Sequence, residues 1–169
     1  YLNNYSGYTH NLAIDSVRES SNSLSIGDDL WITAKVEDAN EVILFFRYSN
    51  YGLFQEITML DDGNNNDGIS GDSIYGAKIS NIGNQTQYYI YAENDSSGQF
   101  SPKRAAYEFY QYVLPINSGE IAINELLAIN DNVVQSEYGE FSDWIELHNN
   151  TNATIATNDL FITDNSNNL

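Results

Sequence analysis

A period of two runs through this chain. In "DLWITAKVED" Leu30, Ile32, Ala34 and Val36 alternate with Trp31, Thr33 and Lys35. Successive side chains of a strand point to opposite faces, so the pattern predicts a strand with one buried face. "EVILFFRYS" is apolar on both faces through Phe46 and predicts a central strand covered on each side. "FQEITML", "SIYGAKIS", "TQYYIYAEN" and "AAYEFYQYVL" continue the theme with aromatic and β-branched residues that suit a pleated surface. No stretch keeps a helical period. Strands roughly eight to twelve residues apart, with Gly, Asn and Asp between them, predict an all-β fold built as an antiparallel sandwich.

The same pattern divides the chain. Residues 1–10, "YLNNYSGYTH", read as a linker or tail, and residues 11–114 match one immunoglobulin-sized unit of about 100 residues. "LPINSGE" holds one of the 2 prolines and marks a short linker at 115–118. From 119 to 169 the pattern restarts with "EIAINELLAIN", "FSDWIELHN", "ATIAT" and "DLFITD". So short a piece is about half of a sandwich domain and buries too little surface to be robust alone. Either it docks on the first unit or the natural chain continues past Leu169. The chain opens on Tyr1 with neither Met nor a signal peptide, and reads as a fragment or a processed product.

Charge narrows the function. With 24 Asp and Glu against 6 Lys and Arg the net charge is -18. Such a field repels nucleic acid and anionic lipid and favours cations. No apolar run reaches the length of a membrane span. The chain has no cysteine, so disulfides, thiol chemistry and cysteine-based zinc sites are excluded.

The acids crowd in "MLDDGNNNDGISGDSIYGAKI", residues 59–79. Asp62, Asn64 and Asn66 have the one-three-five spacing that opens many calcium loops, and calcium takes six to eight oxygen ligands of this kind. An EF-hand is rejected, because Asp67 stands where glycine is needed and Ser73 where glutamate is needed. Two readings stay open. In one, Asp62, Asn64, Asn66, Asp67 and Asp72 form an oxygen cage for structural Ca2+, relieving a repulsion of about 1 kcal/mol per close carboxylate pair in water. In the other, the Asp and Asn side chains cap their own backbone in Asx turns, with Gly63, Gly68 and Gly71 supplying positive φ.

Catalysis finds little support. His10 and His148 are far apart in sequence, and "GISGD" is not a nucleophile elbow. Asp143 and Glu146 of "DWIEL" fall on opposite faces of a strand and cannot flank one bond, with Ile145 and Leu147 predicted in a core. Tyr48, Tyr51 and Phe54 flank a turn, where aromatic rings can form a stacking platform for sugars or protein partners, and Trp31 is a further candidate. The alternative is ordinary packing, with Tyr88 or Tyr89 placed to tie down a corner of the sandwich. Asn4, Asn84, Asn94, Asn149 and Asn152 sit in N-x-S/T sequences, which matter only in a glycosylating secretory pathway.

Two resemblances follow from these motifs. "INE" (Ile123 to Glu125), "DWIELHN" (Asp143 to Asn149) and "L-x-I-T-D" (Leu160 to Asp164) together resemble the opening half of a bacterial lamin-tail domain. The run "MLDDGNNNDGISGDSIYGAKI" followed by "YYIYAEN" resembles an immunoglobulin-like module of bacterial surface and secreted proteins. Ser73 stands where that family usually carries a glycine, which implies a different conformation at one point of the loop. The pairing is similar to the region after the kinase-like domain in exported spore-coat-H-type proteins. The resemblance implies an immunoglobulin-like antiparallel β-sandwich followed by a second, truncated immunoglobulin-like (lamin-tail) unit. It implies no catalytic residue. The expected function is that of a non-enzymatic accessory module of a larger secreted or cell-surface bacterial protein, spacing or attaching it. Its expected partners are other domains of the same polypeptide, with an extracellular polysaccharide or surface protein as further candidates. The alternative is a carbohydrate-binding module using Tyr48, Tyr51 and Phe54.

Overall fold

The computed structural model describes residues 12–20, 23–158, 160–163 and 165. The expected tail at 1–10, with Asn4 and His10, lies outside the described residues. Every regular element described is a strand. In order these are β1 (Ala13–Glu19), β2 (Leu30–Glu37), β3 (Glu41–Arg47), β4 (Gln55–Thr58), β5 (Ile74–Ile79), β6 (Gln85–Glu93), β7 (Gly98–Ser101), β8 (Tyr110–Val113), β9 (Ile121–Leu127) and β10 (Trp144–Asn149). Among the described residues no helix is long and apolar enough to cross a membrane. Contacts group the chain into two compact units, one of 1–114 with 153–169 and one of Pro115–Asn152.

The first unit is an antiparallel sandwich. One sheet has the order β1-β2-β5 and the other β4-β3-β6-β7, with β8 pairing β6 as well. That division of sequential strands is the immunoglobulin-like one. Alternation sets the interior: Leu30, Ile32, Ala34 and Val36 of β2 are at most 1% exposed. They pack with Val42, Leu44 and Phe46 of β3, Ala77 and Ile79 of β5, and Tyr88, Ile90 and Ala92 of β6. Each large aliphatic side chain buried there contributes about 1.5–3 kcal/mol.

Three details differ from the reading of the strands. The outer face of β3 is covered by rings of its own sheet, with Phe45 stacked on Tyr89 at 4.8 Å and 9°. "AAYEFYQYVL" is extended only from Tyr110. Before it, the amides of Tyr107 and Glu108 donate to the Arg104 carbonyl, and Arg104 pairs with Glu108 at 3.0 Å. Two alanines and an i,i+4 ion pair favour that single helical turn over a strand. The corner is held by Tyr48, whose hydroxyl donates to the Ser80 carbonyl at 2.8 Å. Tyr88 points inward instead and donates to the Glu19 carboxylate at 2.9 Å. Burial, reinforced by that carboxylate, holds its pKa far above the usual tyrosine value.

In the second unit β9 and β10 form an antiparallel ribbon with a register shift between Glu146 and Leu147. The loop between them is organised by buried Asn130. Its side-chain amide donates to the Val134 and Ser142 carbonyls, and its oxygen accepts from the Val133 and Val134 amides. The core expected at Ile145 and Leu147 is not found: they are 37% and 41% exposed, while Trp144 is half-buried. A two-stranded ribbon is a single layer and buries neither face by itself; the register shift falls at Asn124 of β9, which the pairing skips.

"ATIAT" and "DLFITD" supply no strand among their described residues. The backbone of 153–156 finds its partner in Asn84 of the first unit rather than in a neighbouring strand. The Ala156 amide donates to Asn84 Oδ1 at 2.7 Å, and Asn84 Nδ2 donates to the Ala156 carbonyl at 3.0 Å. The compact unit that includes β9 and β10 therefore ends at Asn152, whereas the sequence pattern suggested a unit running on to 169.

Candidate functional site

The acidic loop joins β4 to β5, and its carboxylates converge on its own backbone. Asp67 is 1% exposed. Its Oδ2 accepts from the amides of Asp62 and Gly63 at 2.6 and 2.8 Å, and its Oδ1 from Asn65 at 2.7 Å. Burial pushes the Asp67 pKa up, but the backbone donors, led by Gly63 and Asn65, outweigh it and hold the pKa below the usual value. Asp62 Oδ1 accepts from the Asn64 amide and from Asn65 Nδ2. Asp72 accepts from Ile69 and Ile74. Asp61, which the cation reading left out, spans the widest gap: it accepts from Gly71 at 2.7 Å and Ser73 at 2.9 Å.

The loop is thus two carboxylate-centred turns. Asp67 and Asp62 close the first, and Asp61 and Asp72 close the second. Gly63, Asn66, Gly68, Gly71 and Ser73 all take positive φ, the curvature that lets successive amides face one acceptor. The Asn65 carbonyl folds over β5 at Gly76, where an added Cβ would lie 2.0 Å from it. Of the five residues proposed as a cage, Asp62 and Asp67 come together around the same backbone segment. Asn64 caps its own turn, Asn66 is exposed, and Asp72 serves the other turn. Oxygens that a calcium ion would take, those of Asp62, Asp67 and Asp72, accept hydrogen bonds from N–H groups of the loop itself. Among the described residues no group of three or more His, Cys, Asp and Glu could hold a metal.

Ser73 holds φ 67°, in the left-handed region that glycine enters freely, so the serine does not by itself turn the loop to an ordinary negative φ as its replacement of glycine suggested. An L-residue in that region is strained by roughly 1–2 kcal/mol. Ser73→Gly is therefore expected to stabilise the protein by about 0.5–1 kcal/mol, after the entropy cost of glycine. Denaturant titration of both proteins checks this, and a loss of stability would mean that the Ser73 side chain supports the loop.

The expected trio of rings does not share a face. Tyr48 packs edge-on against Phe46 at 5.4 Å, with its hydroxyl engaged at Ser80. Tyr51 is 76% exposed. Phe54 lies between Tyr89 at 4.9 Å and Phe109 at 5.0 Å, beneath the Arg47 guanidinium at 4.5 Å. A platform of Tyr48, Tyr51 and Phe54 is thereby corrected, because Tyr48 turns to the corner while Phe54 joins the outer face of the sheet. Trp31 is half-buried with the Lys78 amine 5.7 Å from its ring.

The outer face of the five-stranded sheet carries a ring cluster instead. Phe45 and Tyr89 stack at its centre. Tyr89 continues to Phe100 at 6.2 Å, and Phe100 lies 4.8 Å from Tyr91. A cleft of about 430 Å³ opens beside it, walled by Tyr89, Phe100 and the 103–107 turn. Period-two reading of "TQYYIYAEN" does place Tyr89 and Tyr91 opposite Tyr88 and Ile90. The pairing of Tyr91 with Phe100 needed the register.

Asp143 and Glu146 have separate partners, the Asn130 amide for Asp143 and the Asn124 side chain for Glu146. His148 is exposed on β10. Asn84 is buried and bonded to Ala156, and Asn94 donates to Asp38 at 2.9 Å.

No family model matches the chain, and none of the curated proteins matches it. Among solved structures, the crystal structure of the Br derivative of BhCBM56 aligns with 62% of this chain and 91% of its own, at 12% identity and a TM-score of 0.38. Similarity at that level carries no argument about ligand or function.

Proposed function

We propose that this chain is a non-catalytic accessory module of a larger secreted or cell-surface bacterial protein, spacing, orienting or attaching the domains beside it. The observation that supports this best is the acidic loop. The longest connection between strands of the sandwich is braced by four carboxylates on its own amides, so the module is stiff where loops are ordinarily slack. Rigidity transmits a fixed distance and angle, which a flexible segment does not. The resemblance to an immunoglobulin-like module followed by part of a lamin-tail domain supports the same reading, with the neighbouring domains as first partners.

The test is a replacement within the full-length parent protein. An unrelated sandwich of equal length should preserve its assembly and surface display, and a Gly-Ser chain of equal length should not. A Gly-Ser replacement that works as well as the sandwich sinks the spacer reading.

Calcium is separable from self-bracing by melting in excess calcium and in chelator at matched ionic strength. A site filled at a hundredfold excess over its dissociation constant adds roughly 2.7 kcal/mol, equivalent to about ten degrees here. The braced loop predicts superimposed curves. A shift of that size, abolished by Asp62→Ala, would instead establish the cation cage.

A second reading, attachment to an extracellular polysaccharide, draws its support from the outer ring cluster and its cleft.

A further inference from the structure

Positive charge is scarce in this chain, yet three of its 6 cations, Arg47, Lys103 and Arg104, gather about the ring cluster of the five-stranded sheet. Arg47 lies over the Phe54 and Phe109 rings and bonds the neutral oxygens of Gln87 and Gly52. Lys103 has no ion pair among the described residues, and Arg104 is paired with Glu108. Among the described residues Arg47 and Lys103 therefore have no ion-pair partner, inside a molecule of net charge -18, while Glu56 opposite Phe45 and Glu93 at the Tyr91 hydroxyl bring carboxylates to the same sheet face. Beside them is the cleft of about 430 Å³, within the range of small-ligand sites, about 300–1,000 Å³. Its rim carries two solvent-exposed rings, Tyr107 at 81% and Phe100 at 44%.

We infer that this cleft binds a sugar ring bearing a single carboxylate, at a glycan end or as an isolated substituent of an otherwise neutral glycan. The inference rests on the polysaccharide reading and adds its chemistry. The C–H face of the ring stacks on Phe100 and Tyr107, whose aromatic bodies are apolar, while the Tyr107 hydroxyl stays wet. The carboxylate meets the Lys103 ammonium on the cleft wall. A neutral ring leaves Lys103 idle, and an acidic peptide brings carboxylates without a ring face. The charge count also selects against a polyanion. Lys103, the unpaired cation of the cleft lining, matches one carboxylate, and beyond a screening length of about 8 Å the chain offers a longer acidic run mainly its own carboxylates.

The probes are a neutral oligosaccharide and the same oligosaccharide ended by one glucuronate, titrated into the full chain by calorimetry. The acidic form should bind roughly tenfold more tightly, the scale of one charge-assisted contact. Lys103→Ala should erase that difference, and Tyr107→Ala should weaken both forms by about tenfold. Both side chains are exposed, and unchanged melting confirms that the variants fold. Equal binding of the two forms overturns the carboxylate inference while leaving the polysaccharide reading standing. Binding of neither overturns both. A glutamate-rich peptide that binds as tightly as the glucuronate form overturns ring recognition, and a polyuronate that binds more tightly per ring overturns the single-carboxylate preference.

Discussion

An Asp67→Ala protein should melt about 10 °C below the parent chain. The substitution removes the acceptor of three backbone amides, those of Asp62, Gly63 and Asn65, at a site where the carboxylate is 1% exposed. A buried donor left without a partner costs about 1–3 kcal/mol. Water reaches part of this loop, so the sum is about 3 kcal/mol rather than the full threefold penalty, and for a chain of this size that corresponds to about 10 °C. Asp67→Asn separates charge from shape: it keeps one oxygen but points an amide N–H at amide donors, and should recover little of the loss.

The same carboxylate gives the loop an acid limit. Its folded pKa lies below the ordinary carboxylate value because the backbone donors outweigh burial. The native state therefore binds this proton less readily than the unfolded chain. Its contribution is complete above the unfolded value, near 3.9, and is lost as pH falls through the lower folded value. Melting from pH 6 down to about 2 should show a steeper acid loss in the parent than in Asp67→Asn. Equal slopes would assign the acid limit to other carboxylates.

Gly83→Ala is the second large effect. A Cβ at Gly83 would lie 2.0 Å from the Thr154 carbonyl oxygen and 3.1 Å from its carbon. Both are backbone atoms, so no rotamer relieves the clash and 153–156 must move. Movement breaks the paired hydrogen bonds between Asn84 and Ala156. Overpacking costs about 1–3 kcal/mol and each buried bond broken adds about 1 kcal/mol or more. The expected loss is about 4 kcal/mol. Asn84→Ala, which removes the bonds without the clash, should lose about half as much. Limited proteolysis should find new cleavage near 153–158 in both variants. A Gly83→Ala protein that melts with the parent would show that the close approach is not maintained.

The strands were legible in the sequence where burial is one-sided. Leu30, Ile32, Ala34 and Val36 announce β2 because period-two burial is a local property, written into consecutive residues. The sandwich followed from repeating that pattern between turn residues, and the glycines and Asx residues of 61–73 already offered a loop that holds itself. Register and topology were not legible. Which side of β3 gathers Tyr89, Phe54 and Arg47 depends on pairings across three strands. Ile145 and Leu147 alternate regularly along β10, yet stay exposed because a two-stranded ribbon is a single layer.

The sequence by itself determined that the chain is all-β, that its charge is unfavourable to polyanions, and that its acids crowd one connection. Tertiary structure alone decided that Asp67 turns inward onto three amides. It also brought Asn84 to Ala156 across 72 positions, and assembled a ring cluster from β3, β6, β7 and the 103–107 turn. The reason is physical. A strand's pattern reflects the burial of its own alternate residues, whereas a hydrogen-bond partner or a stacked ring is fixed only when distant segments are brought into register.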